Sequence, residues 1–158
     1  FVFNFIWNIR KNKNCYYRNY KIHFMKSNIK LSVVIPCFNE EKYIEKLIND
    51  LIQIVEPYEI IIVDDSSNDK SVNIIKSIND SIITLIQNKS NEGKGSCIKK
   101  GIQQCKGDVV LIQDADPEYS PKDIHMIIEP FSDPKTNFVI GTRFQTKYKR
   151  KIGYSDNS

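Results

Sequence analysis

The sequence predicts an α/β domain with a mostly parallel sheet and helices on both faces. Two observations carry that prediction. Short Ile/Val-rich runs recur along the chain, and stretches with helical spacing of apolar residues separate them. The runs are near-continuous rather than alternating, as expected of strands buried on both faces.

The elements follow in order. "LSVVI" (31–35) is a strand closed by Pro36. "EEKYIEKLINDLIQIV" places apolar residues at 44, 47, 48, 51, 52 and 55, a helical period with acids in its first turn. "YEIIIVDD" (58–65) is a strand ending in two carboxylates. "SSND" is turn chemistry, and "DKSVNIIKSI" puts Val72, Ile75 and Ile78 on one helix face. "IITLIQN" (82–88) is the third strand, followed by the loop "KSNEGKGS" and the short helix "SCIKKGIQQC". "DVVLIQD" is the fourth strand. "SPKDIHMIIEPF" reads as a helix with Ser120 as N-cap and Pro121 in the first turn. "NFVIGTRF" is the fifth strand, giving βαβαβαβαβ.

Charge is unevenly spread. Residues 1–30 hold seven Lys/Arg and no acid, whereas residues 31–146 hold 12 Lys/Arg and 18 Asp/Glu, a net of −6. The folded unit is therefore acidic, which argues against nucleic acid as a partner. Cys15, Cys37, Cys97 and Cys105 form no CxxC and no metal-ligand spacing with His23 or His125. They are expected to be reduced thiols of a cytoplasmic protein. No apolar run approaches the ~18 residues of a membrane span. A peripheral contact at the cytoplasmic face of a membrane stays open.

The expected domain runs over 30–144. Residues 1–29 are a basic leader, expected to be disordered or not native, with Met25 as the natural start. The rival reading is a basic-aromatic arm lying on anionic lipid. Residues 145–158 are expected to be a frayed or truncated tail.

In parallel sheets ligands bind beyond the carboxyl ends of the strands. The unusual polar residues of this chain cluster there, in "PCFNEE", "DDSSND", "NEGKGS", "DADPE" and "GTR". Asp114 and Asp116 can point the same way at a strand end. Two converging carboxylates repel, and a divalent cation is the usual relief. Oxygen donors without His or Cys suggest Mg²⁺ or Mn²⁺. The alternative is an N-cap or a solvated acidic loop. "NEGKGS" offers two glycines, whose bare amides can approach an anion, and Lys94. It can equally be an ordinary surface loop. Asp65 can accept from a nucleobase or ribose, or make an Asx-turn. Glu40 can do the former, or simply begin a helix. Phe38 packs on a ligand ring or on the core.

"LSVVIPCFNEEKYIEKLI", "EIIIVDDSSNDKS", "NEGKGSCIKKGI", "GDVVLIQDADPEYSPKDI" and "VIGTRF" together resemble a known family. They are similar to the donor half of inverting family 2 glycosyltransferases, in the dolichol-phosphate or polyprenyl-phosphate mannosyl- and glucosyltransferase branch. The resemblance covers about residues 30–144. It implies a Rossmann-like GT-A nucleotide-sugar domain, truncated at its C-terminal side. Pro36, Phe38 and Glu40 would line the nucleotide pocket, and Val63 and Asp65 would meet the base. Asp114, Ala115 and Asp116 would form the DxD site, with Asp116 on the metal and Asp114 on metal or ribose. Glu118, where relatives often carry Gln, would be a further metal ligand. Arg143 would face the phosphates, and Asp116 and Arg143 would carry catalysis. Pro117 departs from the more usual Leu.

The implied reaction is metal-dependent transfer of a hexose from a nucleoside diphosphate sugar, of the UDP-glucose or GDP-mannose class, with inversion. The implied acceptor is a polyprenyl or dolichyl phosphate. Two other readings stand beside it. One is a truncated, non-catalytic nucleotide-sugar-binding remnant. The other is a receiver-type phosphotransfer domain, which wants its acid pair after the first strand and a Lys after the fifth. Here the pair follows the second strand and Arg143 the fifth.

Overall fold

The computed structural model of the protein describes residues 4–8, 29–116, 121–133 and 135–141. Its strands are β1 (Asn4–Asn8), β2 (Leu31–Cys37), β3 (Glu59–Asp64), β4 (Ile83–Gln87), β5 (Val109–Ile112) and β6 (Phe138–Gly141). Its helices are α1 (Ile44–Asp50), α2 (Ser71–Ser77), α3 (Lys94–Gln104) and α4 (Ile124–Ile128). The six strands form one sheet in the order β4-β3-β2-β5-β1-β6. The four strands β4, β3, β2 and β5 are parallel. This is the Rossmann-like GT-A architecture expected from the sequence.

The two sheet faces are both covered. Leu31, Val33 and Ile35 of β2, Ile60 and Ile62 of β3, and Leu111 of β5 pack in one core with Ile44, Ile48 and Leu51, Ile75, Ile124 and Phe131. Ile61 and Val63 turn the other way and pack with Cys97 of α3. The period of two along each Ile/Val run thus feeds two cores from one strand.

Three elements differ from the expected bounds. The first helix starts at Ile44, not among Glu40 and Glu41, and its end widens into a π-helical turn, Leu51–Val55. That turn closes on Glu56, whose φ of 48° lies in the left-handed region, just before Pro57. The segment after the fourth strand is not one helix. It is a 3₁₀ turn (Pro121–Asp123), α4, and a second 3₁₀ turn (Glu129–Ser132). Pro130 has no amide hydrogen to continue α4. Ser120, the expected N-cap, lies outside the described residues.

The sheet also takes a strand from the stretch expected outside the domain. Asn4–Asn8 pairs antiparallel with β5 (Ile6 opposite Leu111) and with β6 (Ile6 opposite Val139). The fifth predicted strand therefore does not lie against β5. A strand from far upstream separates the two.

Candidate functional site

The chain runs β2 to β3 to β4 in one direction, then returns across β2 to place β5 on its other side. That reversal opens a crevice between the carboxyl ends of β2 and β5, where open α/β sheets bind ligands. Pairing of β2 with β5 ends at Val34 opposite Ile112, while β2 continues to Cys37. The Gln113 amide donates to the Val34 carbonyl at 2.9 Å, so Val34 faces β5. Pro36, two residues on, faces the same side beyond the last pair. Its missing amide therefore leaves no gap in the ladder.

On the β2 side, the turn after Cys37 is stitched to the loop after β3. Asn39 N donates to Ser67 Oγ (2.9 Å), Glu40 N to Ser71 Oγ (2.8 Å) and Glu41 N to Asp69 Oδ2 (3.0 Å). In return, Asn68 N donates to Asn39 Oδ1 (2.8 Å) and Lys70 N to Glu41 Oε2 (3.0 Å). Asn39 (φ 57°) and Ser66 (φ 66°) both sit in the left-handed region. The clasp gives the amides of 39–41 side-chain acceptors, and the Glu40 carbonyl takes the Tyr43 and Ile44 amides (3.0 Å each) in the turn that leads into α1. It leaves the Phe38 ring 44% exposed at the rim. Glu40 shares the crevice with other acids. Burial pushes its carboxyl up, and the charges of Asp116, Asp69 and Asp114 add to that.

Asp65 is only 3% exposed. Its Oδ1 accepts from Asn88 Nδ2 (2.7 Å) and Glu92 N (2.8 Å), and its Oδ2 from Gly93 N (2.7 Å). Burial alone would raise this carboxyl, but the Glu92 amide, the Asn88 side chain and the Gly93 amide outweigh it and hold it below the usual range. Gly93 has φ 87°, a conformation that suits only glycine, and α3 starts at the next residue, Lys94. Lys94 Nζ meets Asp114 Oδ1 at 2.5 Å. The glycine-rich loop and the DxD segment are thus brought together.

Within that segment the side chains alternate. Ala115 packs in the main core, while Asp114 and Asp116 flank it, Asp116 the more exposed. Val63 is fully buried beneath α3, packed with Cys97, so its side chain faces a core and not the crevice. Glu118 and Arg143 lie outside the described residues. Among the described residues, no three of His, Cys, Asp and Glu converge to hold a metal ion. The donor chemistry still fits Mg²⁺ or Mn²⁺. Such ions take one or two carboxylates and complete their shell with waters and substrate phosphates, and Asp114 and Asp116 are oxygen donors of that kind.

Several participants escaped sequence reasoning. Ser67, Ser71 and Asp69 build the clasp, and Asn88 and Lys100 brace the loop, with Lys100 Nζ 2.7 Å from Asn88 Oδ1. "SSND" signalled a turn but not its partner across the crevice. Asp64 is buried, and its Oδ1 has no donor among the described residues. A groove of about 440 Å³ beside β4 and α3 is lined by Gln87, Asn88, Glu92 and Lys100 among others; neither Glu40, Asp114 nor Asp116 lines it. Among the described residues the thiols offer no nucleophile: burial, with Asp64 beside it, pushes Cys37 up to about 12, burial beside Asp65 pushes Cys97 to about 11, and burial pushes Cys105 to about 11.

Comparison with known proteins agrees with this geometry. The family described as "Glycosyl transferase family 2" matches residues 32–156. The undecaprenyl-phosphate 4-deoxy-4-formamido-L-arabinose transferase of Pectobacterium atrosepticum is 40% identical over 107 residues, 63% of this chain and 32% of that protein. The chain thus spans about a third of the length of this curated relative. TarS of S. aureus, solved with UDP, aligns with TM-score 0.54 and 31% identity, over 65% of this chain and 32% of that one. The mannosyltransferase PcManGT of Pyrobaculum calidifontis, solved with GDP-Man and Mn²⁺, shares the fold, with TM-score 0.61 and 22% identity over 69% of this chain and 34% of that one. A family match over most of the chain, on a sheet whose reversal point gathers the DxD acids and the glycine-rich loop, assigns the chain to glycosyl transferase family 2.

Proposed function

We propose that this chain is the donor-binding half of a metal-dependent enzyme that transfers a hexose, with inversion, from a nucleoside diphosphate sugar to a polyprenyl phosphate. The observation that carries the reading is the Lys94–Asp114 contact at the β2–β5 crevice. It sets a cation and a DxD carboxylate side by side, where a diphosphate and its metal would compete for them. The undecaprenyl phosphate in the Pectobacterium relative's name supports the acceptor, although the sugar in that name is an arabinose; the UDP held by TarS and the GDP-Man held by PcManGT support the donor class, and PcManGT's mannose a hexose.

Asp114 and Asp116 would hold the metal, and Glu118 would join them. A bound Mg²⁺ or Mn²⁺ would supply Lewis-acid stabilisation of the charge on the departing diphosphate. Lys94 would leave Asp114 for a phosphate oxygen, and Arg143 would face the same phosphates. Both cations then oppose negative charge that grows as the glycosidic bond breaks. Phe38 would cover one face of the base, with Pro36 beneath the pocket and Glu40 at its rim. A lipid phosphate oxygen is already anionic at neutral pH, so attack on the sugar needs no general base. Such an acceptor would bring the reaction to a membrane surface, and the cytoplasmic face is the side we propose. Among the described residues, no helix is long and apolar enough to cross one.

The test is calorimetric titration of UDP, UDP-glucose and GDP-mannose into the chain and its Asp116→Ala variant, with Mn²⁺ or with chelator. Metal-dependent binding lost in the variant is expected. No binding of any of the three to the folded chain would sink the proposal.

A further inference from the structure

We infer that Gln113 is a positioning residue of the DxD segment: from inside the core, its side-chain amide pins the peptide that joins Asp114 to Ala115 and so sets how the two carboxylates project. The inference rests on the donor-site reading above and adds to that site a residue that, being buried, touches neither metal nor nucleotide.

Among the described residues, the largest fully buried side chains are all Ile or Leu except that of Gln113, which is 0% exposed. Its backbone extends the pairing of β5 with β2, since its amide donates to the Val34 carbonyl at 2.9 Å. Side chains alternate along a strand, so Gln113 shares the face of Leu111, which packs in the main core, as does Ala115. Asp114 falls on the opposite face, where Lys94 of α3 meets it. A polar side chain in an apolar core normally has its hydrogen-bonding groups satisfied. Gln113 does so only in part. Its Nε2 donates to the Asp114 carbonyl at 3.1 Å, whereas its Oε1 has no donor among the described residues. A methionine would fill the same space without an orphaned oxygen, so packing does not account for glutamine at this position. What glutamine adds is the bond to the Asp114 carbonyl. That carbonyl belongs to the peptide between Asp114 and Ala115. The tilt of this peptide fixes ψ of Asp114 and φ of Ala115, two of the torsions that set the direction of Asp116 relative to Asp114. Groups standing behind metal ligands orient them by this kind of bond. Gln113 stands behind both carboxylates of the segment at once.

The test uses Gln113→Met, which keeps the length of the side chain and removes the amide. Ile60→Val serves beside it, because it loosens the same core at the amino end of β3, away from the crevice. Mn²⁺ binding in the presence of UDP is followed by electron paramagnetic resonance, well below each melting temperature. Melting is recorded in metal-free buffer. ¹⁵N relaxation of the metal-free chain reads the Ala115 amide, whose N–H lies in the pinned peptide. For Gln113→Met, Mn²⁺ affinity with UDP should weaken about tenfold, the lower end for groups behind metal ligands. Its melting temperature should hold or rise, because a buried oxygen without a donor is removed. The order parameter of Ala115 should fall. Ile60→Val should melt lower and bind as the wild type does. Unchanged Mn²⁺ affinity in Gln113→Met overturns the inference, whatever its melting temperature. If affinity and stability both fall, Ile60→Val decides: affinity kept there supports the pin, and affinity lost there reduces Gln113 to core packing and overturns it. Should Gln113→Met fail to fold, Gln113→Leu is read in the same way. Failure of both to fold makes the amide a requirement of the fold itself and overturns the inference. If the wild-type chain binds no Mn²⁺ with UDP, the donor-site reading fails, and relaxation alone judges the pin. A lower Ala115 order parameter in the folded variant then supports it, and an unchanged one rejects it.

Discussion

Glu40 shows how a residue can be visible in the sequence while its energetics are not. An acid four residues before a helical run looks like first-turn decoration, and the same letter serves a ligand pocket. The structure separates the two by taking Glu40 out of the helix and tying its amide to Ser71. Its carboxylate then stands in the field of Asp116, Asp69 and Asp114, partly out of water, and is pushed above its ordinary 4.5. The sign for stability follows. A folded pKa above the unfolded one means that the native state binds the proton more tightly, so Glu40 increasingly destabilises the fold as pH rises through that window. Glu40→Gln should therefore raise the melting temperature at about pH 7 in metal-free buffer, and the gain should vanish near pH 4, where folded and unfolded Glu40 both tend to be protonated. An equal gain at both pH values would show that packing, not charge, is responsible. Asp65 was ambiguous for a related reason. Asx-turn chemistry and ligand chemistry select the same residue, and neither foretells its bonds to Asn88, Glu92 and Gly93.

At the scale of elements, the parallel strands were legible because burial on both faces writes aliphatic residues into successive positions of β2, β3 and β5, and that signal is local. Helix ends were less legible, because side chains on other elements set them. The turn that leads into α1 is held by Ser67, Ser71 and Asp69, some 28 to 31 residues away. Packing of α3 on β2 was not legible at all. Gly101 looks like a weak point in a helix, yet a Cβ there would lie 2.4 Å from Val34 Cγ1 and 3.4 Å from Val63 Cγ2. Helix propensity alone favours alanine over glycine by ~1 kcal/mol. Overpacking a filled core costs ~1–3 kcal/mol, and Val34 is fully buried with a single stiff χ angle. Gly101→Ala is thus expected to destabilise, read as a lower urea midpoint with unchanged m-value. Because Lys94 opens the same helix, pushing α3 outward should also draw Lys94 away from Asp114 and weaken Mn²⁺-dependent nucleotide binding.

For the whole molecule, the sheet is where sequence and structure part most clearly. "FNFIWN" has no clean period, and a basic stretch separates it from the acidic folded unit. Nothing local marks it as a strand. Its place is set instead by two edges: β5 needs a partner on the side away from β2, and β6 needs one to join the sheet at all. Antiparallel pairing with both satisfies backbone groups on each side, through Ile6, Trp7 and Asn8 against Leu111, Val110 and Val109, and through Asn4 to Trp7 against β6. The edge concerned is that of β5, the strand that leads into Asp114 and Asp116. A chain beginning at Met25 would keep β2 to β5 but leave β5 an open edge, the template for association with other chains. Two outcomes are expected for it. The melting temperature should fall by about 5 °C or more, the shift that a loss of one or two kcal/mol gives at this size. Sedimentation should show association that grows with concentration. Pyrophosphate binding in Mn²⁺ then tells whether the loss reaches the site. If β1 steadies β5 as far as its carboxyl end, affinity falls together with stability. If affinity holds while stability drops, the donor site is organised by β2, β3 and the Asp65-held loop alone. An unchanged melting temperature in a strictly monomeric shortened chain would mean that Asn4–Asn8 contributes no stabilising strand.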